Sequence, residues 1–244
     1  MKKNLSNALV AVISGLGAWT GSVSAAAPAV VFDNTPNLIN STPEFFTGRE
    51  YGDELNLAGT ERTVTDFRFA YFGNFGATAN VSYNIRFYAN DGSDAVAGSA
   101  TALRPGTQLW DSGAQSIQNG VNIVDLAIPG VVVPDRFTWS VTFNGLDGNV
   151  GRQAALMRAN PGVIGAPLPG GNGLPDLIGS YEDFWLKSTP GDSESWGLFN
   201  FGFGPSDPKG NFYARVVATP EPGTWALAFT GTGLIVLARR RSTR

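Results

Sequence analysis

The sequence predicts an all-β protein, built as an antiparallel two-sheet β-sandwich of jelly-roll-like or Ig-like type. Several stretches alternate apolar and polar residues with a period of two, which is the pattern of strands with one buried face. The 244-residue chain has 31 Gly and 15 Pro but only 15% charged residues, a composition typical of strands joined by turns. No helical period is found between residues 28 and 219, so we expect antiparallel pairing without crossover helices.

The individual strands are predicted from the side chains that share a face. Phe67, Phe69 and Tyr71 share one face of the stretch 63–71, and the same alternation assigns Trp139 to the core. Strands are predicted over 63–71, 81–88, 122–128, 137–143 and 212–218, with shorter ones over 108–111, 131–133, 154–158 and 196–201. Turn-forming residues predict turns at 90–92, 104–106, 111–113, 119–120, 129–130, 147–149 and 190–191, and a long surface loop over 161–177.

The segment 1–27 has the features of a secretory signal peptide. Lys2 and Lys3 form a basic start, and a mostly apolar stretch follows over 8–19. Small residues then predict cleavage after Ala25 or Ala27. We therefore expect an N-terminal signal helix, followed by a sandwich body over residues 28–218.

The segment 219–244 has three parts in a fixed order. The first is a proline-rich motif formed by Pro220, Glu221 and Pro222, and the second is an apolar segment over 225–238. The third is a basic stop formed by Arg239, Arg240 and Arg241. Fourteen helical residues rise about 21 Å, which is short for a hydrocarbon core of about 30 Å. Basic flanks stay in the cytoplasm, so the body is expected outside. The prolines keep the motif extended, which suits cleavage by an intramembrane protease.

This tail resembles the PEP-CTERM sorting signal, because the motif, the short apolar helix and the arginine cluster occur in the same order. The resemblance implies that the tail is a substrate of exosortase, a membrane transpeptidase-like enzyme. It also implies a Gram-negative host that produces exopolysaccharide. The protein would then be exported across the inner membrane and reach the cell surface or extracellular matrix after processing.

Composition excludes several kinds of site. The chain lacks Cys and His, which removes disulfides, thiol nucleophiles, zinc–thiolate centres and the usual general base. Between the two terminal segments, eleven basic and nineteen acidic residues remain, a formal charge near −8. Such an acidic body argues against nucleic acid as a partner, because binding phosphates requires clustered Lys and Arg.

The turn over 90–94 is a candidate Ca²⁺ site. Asn90, Asp91, Ser93 and Asp94 bring four oxygen-bearing side chains into five residues, and Ca²⁺ binds through such oxygens. The same residue types are favoured by a plain hairpin turn. Both interpretations stay open, and we expect no other cofactor.

Aromatic residues late in the body suggest a platform for a carbohydrate. Tyr181, Trp185 and Trp196 are the main candidates, with support from Trp110, Phe184, Glu182 and Asp183. Flat rings can stack on a sugar while carboxylates accept hydrogen bonds from its hydroxyls. The alternative is that the rings lie in the core, where large aromatic side chains most often pack.

Without His or Cys, catalysis would need a carboxylate pair, as in a glycosidase, or a Ser–Lys pair. Lys187 and Lys209 are the lysines available for the second type in the body. The acidic candidates are Glu44, Glu50, Asp53, Glu54, Glu61, Glu182 and Asp183. We expect these residues to be solvated surface charges, and we do not expect an enzyme.

The leading hypothesis is a non-enzymatic, exported surface or matrix protein that is sorted through its tail and associates with exopolysaccharide. Its partners would be an exosortase-type membrane protease, the inner membrane during sorting and an extracellular polysaccharide. One alternative is a carbohydrate-binding module, which requires an exposed row of rings. The other is a secreted polysaccharide-acting hydrolase, which requires two carboxylates within about 10 Å in a cleft.

Overall fold

The computed structural model describes residues 27–39, 49–75, 80–94, 103–146, 153–159, 183–188, 195–200 and 210–221. These residues form fourteen β-strands and one short 3₁₀ helix, Thr35–Asn37, and they contain no α-helix. Within these ranges no helix has the length and apolarity that crossing a membrane requires. The helices predicted in 1–27 and 225–238 lie outside the described residues.

The strands are β1 (Ala29–Asp33), β2 (Leu38–Ile39), β3 (Glu50–Asn56), β4 (Thr63–Asn74), β5 (Ser82–Ala89), β6 (Gln108–Asp111), β7 (Gln115–Ser116), β8 (Gly120–Val132), β9 (Arg136–Asn144), β10 (Gln153–Leu156), β11 (Arg158–Ala159), β12 (Asp183–Lys187), β13 (Trp196–Asn200) and β14 (Ala214–Thr219). All pairings between them are antiparallel, as the absence of a helical period predicts.

Two larger sheets and one small one are formed. The five-stranded sheet has the order β1-β14-β4-β10, and β8 pairs along the other side of β4. The seven-stranded sheet has the order β13-β12-β3-β9-β5-β6, with β7 also paired to β5. Strands β2 and β11 make a two-stranded ladder. From β3 to β5, and again from β8 to β10, consecutive strands alternate between the two larger sheets.

The inner faces of the two larger sheets pack against each other in a sandwich-like arrangement. Phe67 of β4 lies with its ring centroid 5.0 Å from Trp139 of β9 and 5.3 Å from Phe87 of β5. Phe69 lies 5.3 Å from Tyr83. All five side chains are at most 4% exposed. The alternation predicted for 63–71, 81–88 and 137–143 is therefore confirmed, including the core position of Trp139.

The turn predicted at Pro129–Gly130 is wrong. Strand β8 continues past these residues to Val132, but three of its residues lie opposite Thr65 alone, which makes a bulge. Gly130 has φ +78°, a left-handed conformation that glycine adopts without strain. Among the described strands β8 pairs with β4 alone, so a proline without an amide hydrogen is tolerated on it.

The seven-stranded sheet is strongly curled. Strands β5 and β13 are four strand spacings apart, which would be about 19 Å in a flat sheet. The ring centroids of Tyr88 on β5 and Trp196 on β13 are nevertheless 5.6 Å apart. Arg104 Nε, in the β5–β6 connection, also donates to the carbonyl oxygen of Trp196 at 3.0 Å. The face turned away from the main core is therefore concave.

The aromatic contact between the sheets should dominate stability. Phe67→Ala should lower the free energy of unfolding by about 3–5 kcal/mol, because it removes buried surface and leaves a cavity. Ile123→Ala is the control on the exposed side of β8, where the side chain is 54% exposed, and it should cost about 0.5 kcal/mol or less. Urea unfolding monitored by tryptophan fluorescence tests both, and equal losses would contradict the packing described.

Candidate functional site

The concave face of the seven-stranded sheet carries a group of charged, polar and aromatic side chains, most of which are buried. We call this group the concave-face cluster: Glu50, Glu54, Arg86, Tyr88, Ser140, Trp185, Lys187 and Trp196. Alternation along β3 sends its glutamates to this face, and cross-strand pairing brings the other members alongside. Apart from Arg86, each is at most 8% exposed.

Gly52 lies at the centre of the cluster, between Ser140 and Trp185 on the neighbouring strands. A Cβ atom there would approach Thr138 Cγ2 to 2.9 Å and the carbonyl oxygen of Trp139 to 3.0 Å. Glycine is therefore required for β3 and β9 to approach this closely. The gap in side chains between Glu50 and Glu54 results from this constraint.

Glu50 is the best-compensated charge in the cluster. Its Oε1 accepts hydrogen bonds from Tyr88 Oη at 2.9 Å and from Ser140 Oγ at 2.5 Å. Arg86 Nη1 lies 3.3 Å from the same oxygen, and Arg86 Nε pairs with Asp111 at 2.7 Å. Burial and the nearby Glu50 charge raise the pKa of Tyr88, so its hydroxyl stays protonated and donates.

Glu54 is less well compensated. Arg136 Nε lies 3.0 Å from its Oε1, yet neither carboxylate oxygen accepts a hydrogen bond. Burial raises the pKa of Glu54 to about 7, against the lowering effects of the Arg136 charge and the Trp185 indole. The carboxyl therefore changes its charge near neutral pH.

Asp53 is the neighbour of Glu54 in sequence but faces the opposite side, into the main core. Its Oδ2 accepts a hydrogen bond from the amide of Phe212 at 2.8 Å. The Asn34 side chain donates to the carbonyl oxygen of Phe212 at 2.8 Å and accepts from the amide of Ala214 at 2.7 Å. Burial raises the pKa of Asp53 well above its usual range, and the Glu54 charge raises it further. These contacts hold the chain as it enters β14.

Three acidic residues therefore depart from expectation. Glu50, Asp53 and Glu54 were expected to be solvated surface charges, but they are 8%, 3% and 8% exposed. The prediction is wrong because cross-strand neighbours cover both faces of β3. Four residues of strand separate Glu50 from Glu54, which places their Cα atoms about 13 Å apart. Glu44 and Glu182 lie outside the described residues.

The aromatic members of the cluster do not form an exposed platform. Trp185 and Trp196 are 1% and 2% exposed, because the curled sheet packs their rings against Tyr88. Lys187 Nζ lies 5.6 Å from the centroid of the Tyr88 ring and 5.3 Å from that of Trp196, within range of cation–π attraction. A sugar platform requires exposed rings, and the rings of Trp185 and Trp196 are buried.

The other rings considered for a sugar platform give no exposed row. Trp110 is partly buried against Phe87, with their centroids 5.0 Å apart, and Phe184 is buried. Among the described aromatic side chains Phe199 is the most exposed, at 47%. Tyr181 lies outside the described residues.

The candidate Ca²⁺ turn is held by hydrogen bonds within the protein. Asp91 accepts from the amide and the hydroxyl of Thr107, both at 2.7 Å, and the hydroxyl contact lowers its pKa. Asn90 accepts from a threonine hydroxyl, Ser93 accepts from an arginine guanidinium, and the exposed Asp94 forms a backbone bridge with the facing chain. No group of three or more acidic or histidine side chains able to hold a metal occurs in the described ranges. The contacts are those of a hairpin connection.

The first two residues of the tail motif follow directly on β14. Pro220 is partly exposed and Glu221 is exposed, both outside the strand that ends at Thr219. Pro222 and the stop residues Arg239, Arg240 and Arg241 lie outside the described residues.

The described residues define an all-β, antiparallel, sandwich-like protein whose larger sheet encloses a second, polar and aromatic core. No protein-family model, no curated protein and no solved structure matches the chain.

The ionisation of Glu54 should make stability depend on pH. Because its pKa is raised from 4.5 to about 7, the folded state holds the proton more tightly than the unfolded state. The free energy of unfolding should therefore fall between about pH 4.5 and 7, by up to about 3 kcal/mol at about 1.4 kcal/mol per pKa unit. Asp53 should act in the same direction.

Glu54→Gln tests this dependence, because it keeps the shape of the side chain and removes its titration. Urea unfolding at a series of pH values should give a shallower decline for this variant than for the wild type. Glu61→Gln, in the partly exposed loop after β3, is the matched control and should follow the wild-type curve. An unchanged slope in Glu54→Gln would show that its ionisation is not linked to folding.

The hydrogen bond from the Tyr88 hydroxyl should contribute more to the free energy of unfolding than an ordinary hydrogen bond, because its acceptor is a buried carboxylate. Tyr88→Phe should lower the free energy of unfolding by about 1.5–3 kcal/mol. Tyr71→Phe is the control, since that hydroxyl accepts from the amide of Gln118 at 2.8 Å, a neutral pair that should be worth about 1 kcal/mol. Chemical denaturation compares the two, and equal costs would rule out special importance for the carboxylate.

Proposed function

We propose that this chain is an exported, non-enzymatic protein of the bacterial surface or extracellular matrix, sorted through a PEP-CTERM-type tail and associated with exopolysaccharide. The observation that carries the proposal is the position at which the body ends. Strand β14 stops at Thr219, so the Pro220-Glu221 segment begins outside the sheet. A protease that binds its substrate as an extended chain needs this segment to be accessible outside the sheet.

Exposure of Glu221 supports the same proposal. Proline lacks an amide hydrogen, and the residue before a proline is biased away from helix. A Pro-Glu-Pro segment therefore resists joining either the sheet before it or a membrane helix after it. The proposed partners are an exosortase-type protease and the inner membrane during sorting, and nucleic acid is not among them.

The start of the body agrees with removal of a signal peptide. β1 begins at Ala29, two residues after the second predicted cleavage point at Ala27. Cleavage there would leave the strand and its pairing intact. The proposed precursor thus has a signal helix, a body and a short membrane helix that ends in the arginine cluster.

We further propose a jelly-roll-like sandwich for the body. Consecutive strands that alternate between two sheets favour this type over an Ig-like one, in which hairpins within a sheet are common. The concave-face cluster is filled by its own side chains, so its charges support packing. Association with polysaccharide would use other surfaces of the acidic body.

Substitution of the motif tests the sorting function. Replacing both prolines, Pro220→Ala with Pro222→Ala, should abolish removal of the tail, because alanine lets the helix extend through the recognition segment. Intact mass spectrometry of protein from the cell surface and medium should find the wild type without its arginine cluster and the variant with it. Pro36→Ala, at another exposed proline, is the control and should be processed normally. A wild-type mass that includes Arg239 to Arg244 would contradict the proposal.

A further inference from the structure

Both ends of the body leave the five-stranded sheet at the same place. β1 pairs antiparallel with β14, and Ala29 lies opposite Ala218. The strand β14 then ends at Thr219, directly before the sorting motif. The N-terminus left by signal cleavage and the start of the tail are therefore neighbours at one end of the body.

We call this end the tail pole and define it by Ala29, residues 57–62, residues 133–135 and residues 219–221. Its loop 57–62 joins β3 to β4 and is hydrogen-bonded to β1 and to the β8–β9 connection. The amide of Ala58 donates to the carbonyl oxygen of Val31 at 2.8 Å. The amide of Leu57 donates to the carbonyl oxygen of Asp135 at 2.8 Å.

Arg62 fixes the shape of the loop. Its Nε donates to Asp135 Oδ1 at 2.6 Å, and its two Nη atoms donate to the carbonyl oxygens of Ala58, Gly59 and Glu61 at 2.7–3.2 Å. One guanidinium thus satisfies three backbone acceptors and a carboxylate. The loop therefore gives the tail pole a defined shape that a partner can contact.

The tail is too short to hold a sorting enzyme away from this surface. Five residues, 220–224, separate the end of β14 from the apolar segment, and they span at most about 18 Å when fully extended. The headgroup layer takes up about 5–8 Å of that length. About 10 Å remains, which is less than the thickness of a folded domain. An enzyme that reads the motif from the membrane must therefore touch the tail pole.

The charge of the surface indicates the chemistry of its partner. Glu61, Asp135 and Glu221 outnumber the one cationic side chain, Arg62, so the side chains of the tail pole carry a formal charge of −2, which the amino group left by signal cleavage would reduce to about −1. An anionic lipid surface would repel it, whereas a basic protein surface would attract it.

We infer that the tail pole docks against a basic extracytoplasmic surface of the sorting enzyme, and that this contact accompanies recognition of the motif. The inference rests on the proposed sorting function and adds a second recognition element to it. The folded body would thereby help to present its own tail.

The test obstructs one end of the full-length chain at a time. A small folded domain is inserted between Gly59 and Thr60, both exposed at the tail pole. The control carries the same domain between Gly113 and Ala114, an exposed turn between β6 and β7. A third variant adds to the first a Gly/Ser spacer of about 20 residues between Thr219 and Pro220, with a span of about 25 Å. Pulse-chase labelling in the native host measures tail removal, and protease resistance of the body reports folding.

The pole insertion should slow tail removal at least about tenfold, which corresponds to about 1.4 kcal/mol of lost contact. The control insertion should leave the rate unchanged, and the spacer should not restore it in the obstructed variant, because the inserted domain still blocks the contact. Fast processing of the pole insertion, or full rescue of its processing by the spacer, would overturn the docking, because the spacer relieves only obstruction of the motif. Retention of the tail in the wild type would instead overturn the sorting function, and the docking with it.

Discussion

The arrangement around β3 depends on the burial of three carboxylates from one strand. An unpaired buried charge costs several kcal/mol, so each carboxyl requires its own compensation. Glu50 receives two hydroxyl donors, Asp53 receives the amide of Phe212, and Glu54 lies beside Arg136 with a raised pKa. The donors come from three other parts of the chain, namely β5, β9 and the segment before β14. Meeting these requirements fixes the positions of β5, β9 and the entry to β14 relative to β3.

Much of the fold follows from local sequence pattern, and the exceptions have physical causes. β4, β5 and β9 were predictable because one face of each is aromatic and the other polar. β3 was missed because acids occur on both of its faces, so its sequence resembles a polar loop. The turn predicted at Pro129–Gly130 follows common turn chemistry, but a bulge needs the same residues. Long-range pairing, which local pattern does not encode, decided both cases.

The candidate site was less predictable than the fold. The hydrogen bonds to Glu50 come from residues 38 and 90 positions away in the chain, and nothing near Glu50 in sequence signals them. The burial of Trp185 and Trp196 depends on the curl of the seven-stranded sheet, a property of all its strands together. A spacing of two between Glu50, Gly52 and Glu54 was visible, and it does indicate one shared face. The tail motif is a prediction from sequence alone, and it involves no tertiary contact.

The order of strands in the five-stranded sheet has a consequence for the proposed export. β14, the last strand described, lies between β1, the first, and β4. The five-stranded sheet cannot be completed until the chain is available up to residue 219, because β1 and β4 both pair with β14. A chain that crosses a membrane as an unfolded thread benefits from such a delay, since premature collapse would stall its passage. The five-stranded sheet would thus be completed only after the whole body has crossed the membrane.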